Sequence, residues 1–558
     1  MQTRDGVRLD ADVYRPNAAV VGEGPWPVLL MRQPYGRAIA STIVYAHPSW
    51  YAAQGYIVVI QDVRGRGTSE GVFDLFAHEV TDGAETVRWA AQLSGSNGQV
   101  GMYGFSYQGM TQLQAAEGCF GHRGADSQGI KDIGEVALKA IAPAMTGYHL
   151  YEDWAYENGA LLLQLGLTWA VQLATETARR EGDVETYQKL VSASRQLPLL
   201  DEIPAKPSVL ADVDSFWHQW VANASPVDGN GPDADSHAYW QRLTPQLSNV
   251  DLPMLHIGGW FDPYLRGDLR LYAEMTARSQ YPQPLCIGPW AHIPWSRKVG
   301  EVDFGPAAAN PIDRLQVQWF NYILKDAEWT QPHVQLFEMG RNQWREFEQW
   351  PQPSDSTYAE QIYFVQSDGL AHVREDGGSL TKDAIETLRT EVVVHDPWNP
   401  APALGGHSGI PAGAFERTAV DSRGDVLTYT SAPLNAEIRV VGVVSVRCAI
   451  TSSAPSHDLC AVLSRVTDGN VYNLTQGYCR VDKRADVIEL ALQPTCFSLA
   501  AGERLRLSLS AACFPSYPVN IGTGAQPVDA KLIDGQIVTL AIAIGGKHGA
   551  QMTLPVVS

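Results

Sequence analysis

The chain changes its hydrophobic rhythm three times along its length, and that constrains the fold more than any single residue does. Over about the first 145 residues, short apolar runs alternate with helical patterns. WPVLLMRQPY and GYIVVIQDVRG are rich in Val, Leu and Ile, as strands buried on both faces are. HEVTDGAETVRWAAQL places Val80, Ala84, Val87 and Ala91 at helical spacing. VGMYG, SYQGMTQLQAAEG and LKAIAPAM then read as strand, helix and strand. Such alternation predicts a mostly parallel sheet with helices on both faces. From about 147 to 245, text such as YHLYEDWAYENGALLLQLGLTWAVQLATETARR and VETYQKLVSASRQL is helical, with no strand expected between the helices. Alternation resumes at LPMLHIGGWFD, LRLYAEMTARS, QPLCIGPWAH and the helix DRLQVQWFNYILKD. After about 333 nearly everything reads as strand, from HVQLFEMG through EIRVVGVVSVRCAI to IVTLAIAIGG.

The expected architecture follows. Residues 1–146 and 246–330 build an α/β domain, 147–245 form a helical insertion that caps it, and 333–558 form an all-β sandwich or jelly roll. A length of 558 residues accommodates two to four domains. The net charge of −20, with no long Lys/Arg cluster, excludes a phosphate-binding stripe and hence nucleic acid as a partner. No run approaches eighteen apolar residues, so no membrane span is expected. The start, MQTRDGVRLDADVYRP, lacks the apolar core of a signal peptide, and Val7, Leu9, Ala11 and Val13 alternate as a first strand would. With seven cysteines, an odd number without C-x-x-C spacing, free thiols and a cytoplasmic location are expected, although a longer natural N-terminus is conceivable. There is no H-E-x-x-H and no Cys/His ligand cluster, so neither metal nor cofactor is expected.

Reactive groups in such a sheet lie at the carboxyl ends of strands. GMYGFSYQGM sets Ser106 between a strand and a helix, with Gly104 two before it and Gly109 three after it, a departure from the usual G-x-S-x-G. Asp262 follows the strand LPMLHIGGW and His292 follows LCIGPWA. The chain order Ser106, Asp262, His292 is that of an α/β-hydrolase triad. A serine hydroxyl needs a base to take its proton, which His292 would supply, while Asp262 would fix the imidazole tautomer. His78, His149, His256, His457 and His548 lie in places less suited to that task. The Tyr107 N–H would be one oxyanion donor; the Tyr35 phenol in RQPYGRA is either the second or a packing residue.

The segments RQPYG, QDVRGRGTSEG, GMYGFSYQGMTQ, GGWFD, IGPWAH and EVDFGPAA together resemble the cocaine esterase and X-Pro dipeptidyl-peptidase superfamily, which includes α-amino-acid ester hydrolases and glutaryl-cephalosporin acylases. The resemblance covers nearly the whole chain and extends to SSAPSHDLCAVLSRVTDG and GERLRLSLSAACFPSYPVN. It implies a G-x-S-Y-x-G elbow, Ser106, Asp262 and His292 as triad, and Tyr35 with the Tyr107 amide as oxyanion hole. It also implies a helical cap and a jelly roll.

In one respect the chain departs from α-amino-acid ester hydrolases, which carry an acidic pair after the aspartate. Here Pro263, Tyr264 and Leu265 follow Asp262. Glu152, Asp153 and Glu157 could supply that charge from the cap, or form a solvated helix face. Trp260, Trp290 and Trp295 flank the triad positions and are expected to make the pocket apolar. Asp62, Arg64 and Arg66 in QDVRGRG are expected to hold a turn through a buried ion pair.

The function expected is a serine hydrolase that cleaves a small ester or amide through an acyl-enzyme. Its partner would be a small-molecule ester, amide or short peptide, and a homo-oligomer is left open. X-Pro dipeptide release or α-amino-acid ester hydrolysis is the nearer alternative. A carbohydrate-binding β part on an inactive hydrolase is the more distant one.

Overall fold

The computed structural model describes residues 1–38, 40–121, 136–225, 234–352, 355–356, 358–481, 487–546 and 548–557. Its first sheet has nine strands: β1 (Ala11–Tyr14), β2 (Trp26–Gln33), β3 (Ile57–Asp62), β4 (Ser96–Phe105), β5 (Leu138–Ala144), β6 (His256–Phe261), β7 (Leu285–Ala291), β8 (Val334–Glu338) and β9 (Gln343–Phe347). They lie in the order β1-β3-β2-β4-β5-β6-β7-β8-β9. Strands β2 to β8 pair in parallel, while β1 and β9 run antiparallel at the two edges. Every residue of β3, β6 and β7 is buried, which is why these runs carry no polar alternation.

Strands β8 and β9 correct the expected boundary at 333. HVQLFEMG extends the first sheet, with Val334 and Leu336 registered against Leu285 and Ile287 of β7. A short strand buried on both faces has the same composition whichever sheet receives it. Its pattern therefore did not disclose the partner.

The insertion is helical over Leu163–Glu181, Val184–Arg195, Phe216–Ala222 and Ala234–Leu243. It is not helical from its start. A π-helical turn at Tyr151–Ala155 leads into a hairpin that pairs Tyr156–Glu157 with Ala160–Leu161. Asn158 (φ 45°) and Gly159 (φ 81°) make its two-residue turn, the Asn-Gly signal that the helical reading passed over.

The remainder is β apart from short helical turns at Thr418–Asp421 and Leu532–Asp534, with a large sheet and a three-stranded one around a shared apolar core. Among the described residues no helix is long and apolar enough to cross a membrane.

Candidate active site

Strand β4 ends at Phe105, and the helix Tyr107–Phe120 begins one residue later. Ser106 fills the corner at φ 60°, ψ −125°, a backbone geometry that a side-chain-bearing residue adopts only under constraint. The unusual glycine spacing has a steric cause at each position. A Cβ on Gly104 (φ 139°) would lie 2.4 Å from Gln108 Cβ, and one on Gly109 would lie 2.8 Å from Thr146 Cβ. Gln108, where the usual pattern has glycine, turns its side chain back so that Oε1 accepts from the Phe105 N–H at 3.3 Å. The N–H of Tyr107 is the first of its helix and has no residue four back to accept it. Its ring is locked away, stacked on Phe76 at 4.5 Å, with the hydroxyl donating to Glu79 at 2.9 Å.

Strands β6 and β7 are neighbours, so Asp262 and His292 just beyond their ends meet. His292 Nδ1 donates to Asp262 Oδ1 at 2.6 Å, and Asp262 Oδ2 accepts from the Tyr264 N–H at 3.1 Å. Asp262 is fully buried. The His292 ring lies 5.4 Å from Phe105, the residue before Ser106, and edge-on to Tyr264 at 4.9 Å. Its main-chain carbonyl accepts from the Trp295 indole at 3.0 Å.

The Tyr35 hydroxyl accepts from Trp169 Nε1 at 3.1 Å and faces the Ser106 side chain. Burial pushes its pKa up, so the phenol keeps its proton and remains a donor. Behind Asp262, burial and the Asp262 charge push the Asp268 carboxyl well above its ordinary range; Asp268 Oδ1 accepts from the Thr146 N–H at 3.0 Å.

The predicted pocket residues go elsewhere. Trp260 and Trp290 are buried structural indoles that donate to Phe337 O at 2.7 Å and Ala308 O at 2.9 Å. The rings around the site come instead from the cap and from the helix after Asp262. Trp169 stacks on Trp154 at 5.5 Å, and Trp154 packs on Tyr264 at 4.5 Å, an arc of aromatics from Tyr35 to His292.

Of the three cap acids, Glu152 is about half exposed while Asp153 and Glu157 are buried, and all three are paired. Glu152 and Asp153 both pair with Arg270, at 2.7 and 3.1 Å. Glu157 is buried among Arg266 (3.0 Å), His407 (2.8 Å) and the Tyr517 hydroxyl (2.6 Å). Burial alone would raise its pKa, but Arg266 and His407 outweigh it and hold the carboxyl far below its ordinary range.

The QDVRGRG turn is tied by three ion pairs, none joining the residues expected. Asp62 pairs with Arg37 at 2.6 Å, and Arg64 with Asp82 at 2.7 Å and Asp5 at 2.8 Å.

Sequence reading also missed Gln493, a buried residue of the β part whose amide donates to the Asp262 main-chain carbonyl. No local pattern marks it, because 231 residues separate the two.

Comparison with known proteins agrees with this fold. Residues 5–294 match the X-Pro dipeptidyl-peptidase (S15 family) model, and residues 327–551 match the X-Pro dipeptidyl-peptidase C-terminal non-catalytic domain. The chain is 30% identical over 589 aligned positions to a cocaine esterase of Rhodococcus sp. (strain MB1 Bresler), covering 99% of this chain and 97% of that protein. Its fold is shared with an aminopeptidase from the marine sediment archaeon Thaumarchaeota archaeon (TM-score 0.78, 20% identity, 100% and 95% of the two chains). An α-amino acid ester hydrolase is similar at TM-score 0.75, again at 20% identity, over 99% and 95% of the two chains. With an α/β-hydrolase sheet, a helical cap and an all-β C-terminal part matched from end to end, the chain belongs to the X-Pro dipeptidyl-peptidase (S15) family of serine hydrolases.

Proposed function

We propose that the protein is a carboxylic ester hydrolase or acylase in which Ser106, Asp262 and His292 form the catalytic triad. The observation that carries this reading is the 2.6 Å bond between His292 and Asp262 at the sheet edge where Ser106 is displayed. With Nδ1 engaged by Asp262, Nε2 of His292 is free to take the Ser106 proton as the hydroxyl attacks the substrate carbonyl. The oxyanion of the tetrahedral intermediate receives hydrogen bonds from the Tyr107 N–H and the Tyr35 hydroxyl. Collapse passes the His292 proton to the leaving group, and water then releases the acyl part by the same steps.

Ester or acylase chemistry is preferred to X-Pro dipeptide release because Asp153 and Glu157 are buried and paired with arginines, and the half-exposed Glu152 already pairs with Arg270. The relative named a cocaine esterase supports the same order. The deciding comparison is nitrophenol release from a short acyl ester against nitroaniline release from Gly-Pro-4-nitroanilide by one preparation. Ester cleavage alone supports the reading; efficient anilide cleavage replaces it with dipeptide release. Ser106→Ala should abolish ester cleavage and labelling by a fluorophosphonate, and residual activity above a trace refutes the mechanism.

A further inference from the structure

Trp217, Trp240, Trp260 and Trp290 each donate to a main-chain carbonyl, as indoles that serve the fold do. Trp169 differs. Its Nε1 donates at 3.1 Å to a side-chain hydroxyl, that of Tyr35. An indole N–H only donates, and a phenol carries a single proton. That proton turns in the plane of the ring between two directions, and a donor seated on one leaves it the other. Trp169 takes the cap side of the Tyr35 oxygen, so the O–H points to the side where Ser106 lies. A hydrogen bond received by the phenol oxygen also strengthens the one it gives.

The bond crosses from the cap to the sheet, and both of its ends are tied to the QDVRGRG loop. On the cap side, Trp169, Leu173, Thr177 and Arg180 follow one face of the helix Leu163–Glu181. The buried Arg66 donates to Leu173 O at 3.0 Å and to Thr177 Oγ1 at 3.1 Å. Arg180 returns the contact, donating to Gly67 O and, at 2.9 Å, to Ser69 O. On the sheet side, the Tyr35 N–H donates to Gln33 Oε1 at 2.8 Å. Gln33 Nε2 and the Arg37 N–H then donate to the same oxygen of Asp62, at 3.1 and 2.7 Å. One loop therefore brackets both partners. The plane of the indole is set by rings on the cap, Trp154 at 5.5 Å, Phe216 at 4.8 Å and Trp220 at 5.8 Å.

We propose that Trp169 is a positioning residue of the oxyanion hole, aiming the Tyr35 proton at the developing oxyanion, with the QDVRGRG loop keeping the pair in register through Arg66 and Asp62. This role rests on the triad and oxyanion assignments above. It makes a seated cap a condition for turnover and not for substrate binding alone.

The test is a double-mutant cycle of Trp169→Phe and Tyr35→Phe, read as kcat and KM on 4-nitrophenyl hexanoate. Trp169→Phe keeps an aromatic ring and removes the N–H. Alone it should lower kcat by about tenfold and leave KM within about twofold, as loss of an interaction made only in the transition state does. In the Tyr35→Phe background it should cost nothing further, because the hydroxyl it aims is gone. Arg66→Met releases the helix from the loop and should likewise lower kcat only where Tyr35 is present. That variant decides the matter if Trp169→Phe does not fold. A raised KM at unchanged kcat makes Trp169 a wall of the pocket and overturns the proposal. An equal loss of kcat in both backgrounds overturns it too, by marking Trp169 as structural. Both of those outcomes leave the hydrolase reading standing. An unchanged kcat in Tyr35→Phe alone removes Tyr35 from the oxyanion hole and this proposal with it, while a wild-type protein that cleaves no ester overturns the hydrolase reading itself.

Discussion

Asp262 presents its two carboxylate oxygens to different partners, one to the His292 ring and one to the backbone of Tyr264. The second bond fixes the direction of the first, so the imidazole is held in one tautomer. Asp262→Asn should keep the fold and lower kcat by about 10⁴-fold, because an amide at Oδ1 favours the wrong tautomer. Tyr35→Phe keeps the ring against its neighbours and removes one of the two proposed oxyanion donors. Its kcat should fall by about 10²–10³-fold with KM nearly unchanged, as steady-state kinetics on a nitrophenyl ester would show. At this scale the sequence disclosed the groups that end strands, since position at a sheet edge follows from strand order alone. It did not disclose which tryptophans lie beside Tyr35 and His292. Trp260 and Trp290 stand two residues before Asp262 and His292, yet both point into the core, while Trp154 and Trp169 arrive from a distant segment. Asp262 and His292 lie just past the ends of β6 and β7, where the alternation of a strand no longer fixes the side, so two-residue spacing did not place the rings.

The elements that hold the site are built to close tolerances. Gly104→Ala would force a Cβ against Gln108 at a positive φ and should lower both the thermal midpoint and the yield of active protein. Strand β6 carries a different sensitivity. His256, buried with Nε2 at 2.9 Å from Gln283 Oε1, has its pKa pushed down to about 4 by burial, from an ordinary 6.5. The unfolded chain therefore takes up a proton below pH 6.5 that the folded chain refuses until about pH 4. Stability contributed by this site is intact above 6.5, falls through that window and levels off below it. The loss is roughly 2–3 kcal/mol by pH 4.5, and His256→Gln should flatten that part of the urea-stability profile. Alternation in the first 145 residues and its return near 251 made these strands legible. The Asn158–Gly159 hairpin was not, and β8 was legible as a strand but not as a member of this sheet, since only its pairing with β7 decides that.

Across the whole molecule, the three parts are joined at Glu157. Its carboxylate, on the cap hairpin, meets Arg266 from the helix after Asp262 and His407 and Tyr517 from the β part. Glu157→Ala leaves Arg266 buried without its partner and should lower the unfolding free energy by about 3–5 kcal/mol in urea titrations. The Glu157 carboxyl is held below its ordinary 4.5, so its contribution is present above that pH and is lost as acid protonates the folded form. The three-part plan was readable from the changes of rhythm. This joint was not, because its members are scattered from 157 to 517 and each is an ordinary polar residue in its own segment.

Gln493, which reaches from the β part to the Asp262 carbonyl, gives that plan a practical edge. The C-terminal part is the natural piece for an engineer to exchange between relatives, yet here it is not a detachable module. A hybrid carrying a foreign β part would inherit an intact Ser106 corner but an Asp262, the proposed triad acid, whose backbone had lost its brace. Such hybrids should gain turnover when the donor piece is given glutamine at the matching position together with partners for Glu157 in place of His407 and Tyr517.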